Sequence, residues 1–208
     1  MRIVPRSVFR LFSVLPISTL LLLVSAGPLL AQAVLSADQQ IAAAVLAAPP
    51  DRQEGARVLG FDRDGTMVQL RAGSNDLVCL ADDPGRDGFS VACYHESMEP
   101  FMARGRELTA QGTTDGGERN RIRWEEADAG TLPVPDHPAS LFILTGESYD
   151  PATGEIEERY LRYVIYVPWA TPESIGLPAR PTAPGAPWLM FPGTASAHIM
   201  ISPAQTGG

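Results

Sequence analysis

The 208-residue sequence contains no lysine; all sixteen of its basic residues are arginine. It has two cysteines, Cys79 and Cys93, and three histidines, His95, His137 and His198. No Gly-x-Ser-x-Gly turn is present, so the exposed serine of that hydrolase elbow has no counterpart. No internal repeat is visible, and beyond residue 33 no run is long or apolar enough to cross a bilayer as a helix. These gaps leave one domain of ordinary size with few candidates for metal or nucleophilic chemistry.

The first 33 residues read as a secretory signal peptide. Arg2, Arg6 and Arg10 give a basic start, and Leu11 to Val24 is a mostly apolar run of 14 residues. Ala31-Gln32-Ala33 then places small residues where signal peptidase cuts. The run is shorter than the roughly 20 residues that span a bilayer. Cleavage after Ala33, or after Ala31, starts the mature chain near Val34. That chain carries thirteen arginines against twenty-four acidic residues, a formal charge of −11. Such a surface repels nucleic acid and anionic membrane, which excludes both as expected partners. In an oxidising compartment an even cysteine pair is a disulfide first, so Cys79–Cys93 is expected to be bonded. The destination is periplasmic or extracellular.

The remaining pattern predicts an α+β fold: an antiparallel sheet, two or three helices and a proline-rich C-terminal arm. Ser36 with Gln39 three residues on forms a capping box for a first helix. Strands are expected at 56–61, 66–71, 76–81 and 89–94, separated by polar turns and arranged as a meander. A small register offset between the last two would bring the cysteines together. Ser97 is expected to cap a second helix whose stripe of Met98, Phe101, Met102, Gly105 and Leu108 faces the core. A weaker helix follows around 119–127. Strands at 141–145 and 160–167 flank a hairpin loop at 150–154, and a last strand covers 197–202. Seven prolines fall between Pro168 and Pro192, a density that excludes regular helix or central strand. Large apolar residues interleave with them, so 168–192 is expected to pack, with Trp188 largely buried, and 204–208 to fray.

Three motifs carry possible chemistry. Val58-Leu59-Gly60-Phe61-Asp62-Arg63-Asp64-Gly65-Thr66 resembles the first motif of haloacid-dehalogenase-type phosphatases, in which the first Asp attacks phosphorus and the second is the general acid. A strand follows at once and the later motifs are missing, so Asp62 and Asp64 are expected to be hairpin-turn residues. His95-Glu96-Ser97-Met98-Glu99 is similar to the zincin helix, but Glu99 stands where that motif has a second histidine. The third is the histidine set. His95, His137 and His198, with Glu96, Glu99 or Asp136, have the donor chemistry to hold Zn²⁺ or Cu²⁺ if the fold gathers them. No residue is nominated as catalytic, and no organic cofactor is implied.

Three longer stretches carry a resemblance. Leu70-Arg71-Ala72-Gly73-Ser74-Asn75 precedes Cys79, Cys93-Tyr94-His95 follows, and Pro187-Trp188-Leu189-Met190 leads through Pro192-Gly193-Thr194 to Ala197-His198-Ile199-Met200-Ile201. Together they resemble a family of uncharacterised exported bacterial proteins with these motifs in this order, a resemblance that implies export and no particular chemistry. The functional expectation is a non-enzymatic domain binding a small molecule or a protein. The alternative is a metal-binding protein or metal-dependent hydrolase using the three histidines.

Overall fold

The computed structural model describes residues 34–204. The expected signal peptide at 1–33 and positions 205–208 of the expected fraying tail lie outside the described residues. The architecture is α+β, a mostly antiparallel sheet of eight strands with helices on both faces.

The first helix, α1 (Ala37–Ala44), begins as its capping box dictates: Ser36 Oγ accepts the Gln39 amide, and the Gln39 side chain returns to the Ser36 amide. Its Gln40 is buried yet satisfied. The side-chain amide donates to Leu35 O and Phe61 O and accepts from Phe61 N, each at 2.8 Å. Those bonds fasten α1 to the end of β1 (Arg57–Phe61).

β1 pairs antiparallel with β2 (Met67–Arg71). Between them Asp62 Oδ1 accepts the amides of Asp64 and Thr66, both at 2.9 Å. Asp62 is thus the organising residue of a hairpin turn, as the sequence indicated. The expected meander ends there. β3 (Leu77–Leu80) lies on the far side of β1 and runs parallel to it, with Val58 opposite Cys79. The chain from β2 passes over the start of β1: the amides of Ser74 and Asn75 both donate to Gly55 O. Gly73 sits so close that a Cβ there would stand 2.9 Å from the Arg57 backbone nitrogen. Sequential hairpin signals report neighbours along the chain and are blind to this crossover.

β4 (Phe89–His95) then pairs antiparallel with β3, and Cys79 lies directly opposite Cys93 without the expected register offset. The two form a disulfide with Cα atoms 4.0 Å apart. A 3₁₀ turn at Glu96–Met98 leads into α2 (Glu99–Ala110). The sequence placed the helix cap at Ser97. Instead His95 caps the 3₁₀ turn through its side chain, and α2 proper starts two residues after Ser97. Next come α3 (Gly116–Asp128), capped by Asp115, then β5 (Ala139–Gly146) and a small hairpin of β6 (Ser148–Tyr149) and β7 (Ile156–Glu157). β8 (Tyr160–Tyr166) returns beside β5.

The arm buries Leu189 while residues 178–185 are exposed, and it contains a four-residue helix, α4 (Pro172–Ile175), where its proline content excluded one. Pro172 sits in the first turn, where a missing N–H costs nothing. The arm also supplies the edge strand β9 (Trp188–Met190), paired with β10 (His198–Ile201), which itself pairs with β8. Its anchor is Leu189, fully buried; Trp188 is only half-buried, a correction to the sequence expectation. Alternation decides this. Trp188 and Leu189 are neighbours on a strand, so they face opposite sides of the sheet.

Two cores result. α1 and the following turn cover Val58, Leu77, Cys79, Val91, Cys93 and Leu144 on one face. α2 and α3 cover Tyr94, Phe101, Leu141, Val164, Tyr166 and Met200 on the other. Among the described residues no helix is long and apolar enough to cross a membrane. The disulfide fits an exported chain.

Candidate functional sites at the two ends of the sheet

The three histidines do not converge. His95 closes β4 with the parity of Cys93 and so points towards the α1 face. His198 opens β10 with the parity of Met200 and points towards the α2–α3 face. Strands β5 and β8 stand between β4 and β10. His198 is buried, its Nδ1 lies 2.7 Å from Ser196 O, and its ring stacks on Tyr166 with centroids 5.0 Å apart. It is a core residue, and burial pushes its imidazole below the ordinary histidine range.

His95 and His137 do meet, edge to face, with ring centroids 5.7 Å apart. His137 comes from the turn before β5, where Asp136 Oδ1 lies 2.8 Å from its Nδ1 and is held below the usual carboxylate range by that bond. Of the other two expected carboxylates, Glu96 is exposed on the 3₁₀ turn and Glu99 is committed elsewhere: it accepts from the Tyr94 hydroxyl and Arg106 and pairs with Arg57 at 3.1 Å. Among the described residues no group of three or more histidine, cysteine or acidic side chains is gathered as for a metal ion.

The sequence missed Asp76. It precedes β3, and the pairing of Leu77 with His95 brings it to the corner. Asp76 Oδ2 lies 3.6 Å from His95 Nε2, and Arg52 engages its other oxygen. Ser97 Oγ is 2.8 Å from His95 Nδ1, and the Ser97 amide donates to that same nitrogen at 3.2 Å. Ser97 is thus hydrogen-bonded to the His95 ring, while Asp76 stands at ion-pair distance from the far nitrogen, beyond hydrogen-bond reach. An amide that donates to Nδ1 needs a lone pair there, so the neutral ring carries its proton on Nε2, facing Asp76.

The opposite end of β4 borders a cavity of about 180 Å³ lined by Val34, Leu35, Asp82, Phe89, Glu147 and Tyr149, among others. Sequence reasoning missed it because its carboxylates come from separate loops. The pairing of Phe89 with Gly146 brings Glu147 beside the Asp82–Gly88 loop. Phe89 and Tyr149 stack with centroids 5.0 Å apart and form an aromatic wall. Asp82 accepts the Ser90 amide at 2.8 Å. Its carboxyl is nevertheless raised above the usual range, chiefly by burial and further by Asp83, against the opposing pull of Ser90 and Arg86.

In comparisons with known proteins, no family model matches the chain, and no curated protein or solved structure is found to be similar to it.

Proposed function

We propose that this is an exported ligand-binding domain that holds a small organic ammonium in the cavity between Asp82, Glu147 and the Phe89–Tyr149 stack. One observation carries the reading: two carboxylates and an aromatic pair line the same concavity, with no basic side chain in its wall. A cation there gains from both groups, since the faces of aromatic rings carry negative potential. The acidity of the mature chain favours cationic ligands in the same direction. The volume suits a small amine or the amine end of a larger molecule.

Asp82 makes the reading testable. Burial raises its carboxyl, and an ammonium beside it favours the charged form. Asp82→Asn keeps an oxygen for the Ser90 amide and removes the charge. The expected result is about 10-fold or greater loss of amine affinity, the scale of one charged hydrogen bond. Calorimetric titration with benzylamine, and with benzyl alcohol as the neutral control, measures the affinity. Equal binding of the two, or an unchanged affinity in Asp82→Asn, would exclude this function.

A further inference from the structure

At the other end of β4 we propose that Ser97 is an activated nucleophile, served by His95 as general base and oriented through Asp76, and that it takes acyl groups from small activated esters. This proposal is independent of the amine cavity. It rests on the order of contacts: Ser97 Oγ to His95 Nδ1 at 2.8 Å, then His95 Nε2 to Asp76 Oδ2 at 3.6 Å.

Capping alone needs less than this. An N-cap acceptor requires only the Ser97 amide on Nδ1, which is present at 3.2 Å. The hydroxyl on the same lone pair and a carboxylate on the far nitrogen are additional. The Ser97 amide sets the ring tautomer, and the Asp76 carboxylate, at ion-pair distance from Nε2, stabilises the imidazolium that forms when Nδ1 takes a proton, as the carboxylate of a serine–histidine–aspartate triad does. Ser97 and His95 are partly exposed, so a substrate can reach the hydroxyl. The second oxygen of Asp76 is fixed by Arg52. The helical run from Glu96 to Ala110 begins here, and the positive end of its dipole favours a developing oxyanion.

The reaction closes as follows. Ser97 Oγ bonds to the ester carbonyl carbon while its proton passes to His95 Nδ1. The bond from that carbon to the alcohol oxygen breaks, and His95 returns the proton to the departing alkoxide. Water then repeats the sequence at the acyl-serine, releasing the carboxylic acid and restoring the hydroxyl. Ester and water are consumed; acid and alcohol are formed.

The test uses the processed full-length chain and a fluorophosphonate probe, with mass mapping of the labelled peptide and p-nitrophenyl acetate turnover as a second readout. The expected outcome is one phosphonylated residue, Ser97, and no label in S97A. H95Q retains an acceptor for the cap but is a poor base, and is expected to slow labelling by ~10²-fold or more. D76N is expected to slow it less, with melting unchanged. Absence of label on Ser97 in the natural chain overturns the proposal. So does an H95Q variant that melts normally and labels at the natural rate. If H95Q does not fold, a natural labelling rate in D76N overturns it.

Discussion

His198 is buried as a neutral imidazole. Its environment is two aromatic rings, Tyr166 and Phe191, and one carbonyl, Ser196 O. The nearby Arg123 guanidinium lies over the Phe101 ring, and burial lowers its own pKa. A second positive charge has no acceptor to spare here. The folded-state value of His198 is therefore depressed from 6.5, chiefly by burial, so the unfolded chain takes up its proton first as pH falls. The stability that His198 confers is full above about pH 6.5 and is lost on the way down through the folded value. Urea unfolding at pH 7.5 and 5.5 is expected to show a steeper loss for the natural chain than for His198→Phe. Equal slopes would mean the imidazole is solvated. Nothing in the sequence distinguished this histidine from His95. Both adjoin strand residues, and only the face each strand presents to the helices makes one a core residue and the other a corner residue.

At the scale of elements, local signals were well resolved and pairings were not. The capping box at Ser36 and the turn at Asp62 are specified within five residues, and both form as read. Seven of the ten strands among the described residues were found near their observed limits because alternation is a local property; β6, β7 and β9 were not. The partner of β3 is not local. Its parallel pairing with β1 depends on a crossover that Gly73 permits and that Gly55 O secures. Asp76, Glu147 and Asp82 acquire meaning only through register, which is why both candidate sites were largely hidden. The proline-rich arm shows the same limit, since composition indicated packing but not which face would be buried. Leu189 has no exposed surface, and its amide donates to Pro178 O at 2.8 Å, so it ties the edge strand to the arm. Leu189→Ala is expected to destabilise the domain by about 2–5 kcal/mol, and Trp188→Ala by less. Chemical denaturation of both variants measures the difference, and the reverse order would place the anchor at Trp188.

At the scale of the whole molecule, the expected signal cleavage and the proposed ligand site meet at Val34. Cleavage after Ala33 would create an α-ammonium on a residue that lines the same cavity as Asp82 and Glu147. Leu35 is held by Gln40, which fixes the approach of the chain. A free amino terminus titrates near pH 8, and a carboxylate beside it raises that value. A raised amine contributes stability that is full below the unfolded value and is lost as pH rises through the folded one. A chain cleaved after Ala33 would therefore carry a built-in competitor for the proposed site. Acetylating Val34 removes that charge. The expected consequences are a lower melting temperature at pH 6, a difference that fades by about pH 10 as the free amine loses its proton, and tighter binding of benzylamine. A chain beginning at Gln32, the product of cleavage after Ala31, is expected to behave like the acetylated form. Nuclear magnetic resonance titration of a ¹³C-dimethylated terminus follows the amine directly. A terminus that titrates at the ordinary value, with ligand affinity unmoved by acetylation, would show that Val34 lines the cavity with its side chain alone and leaves both carboxylates to the ligand.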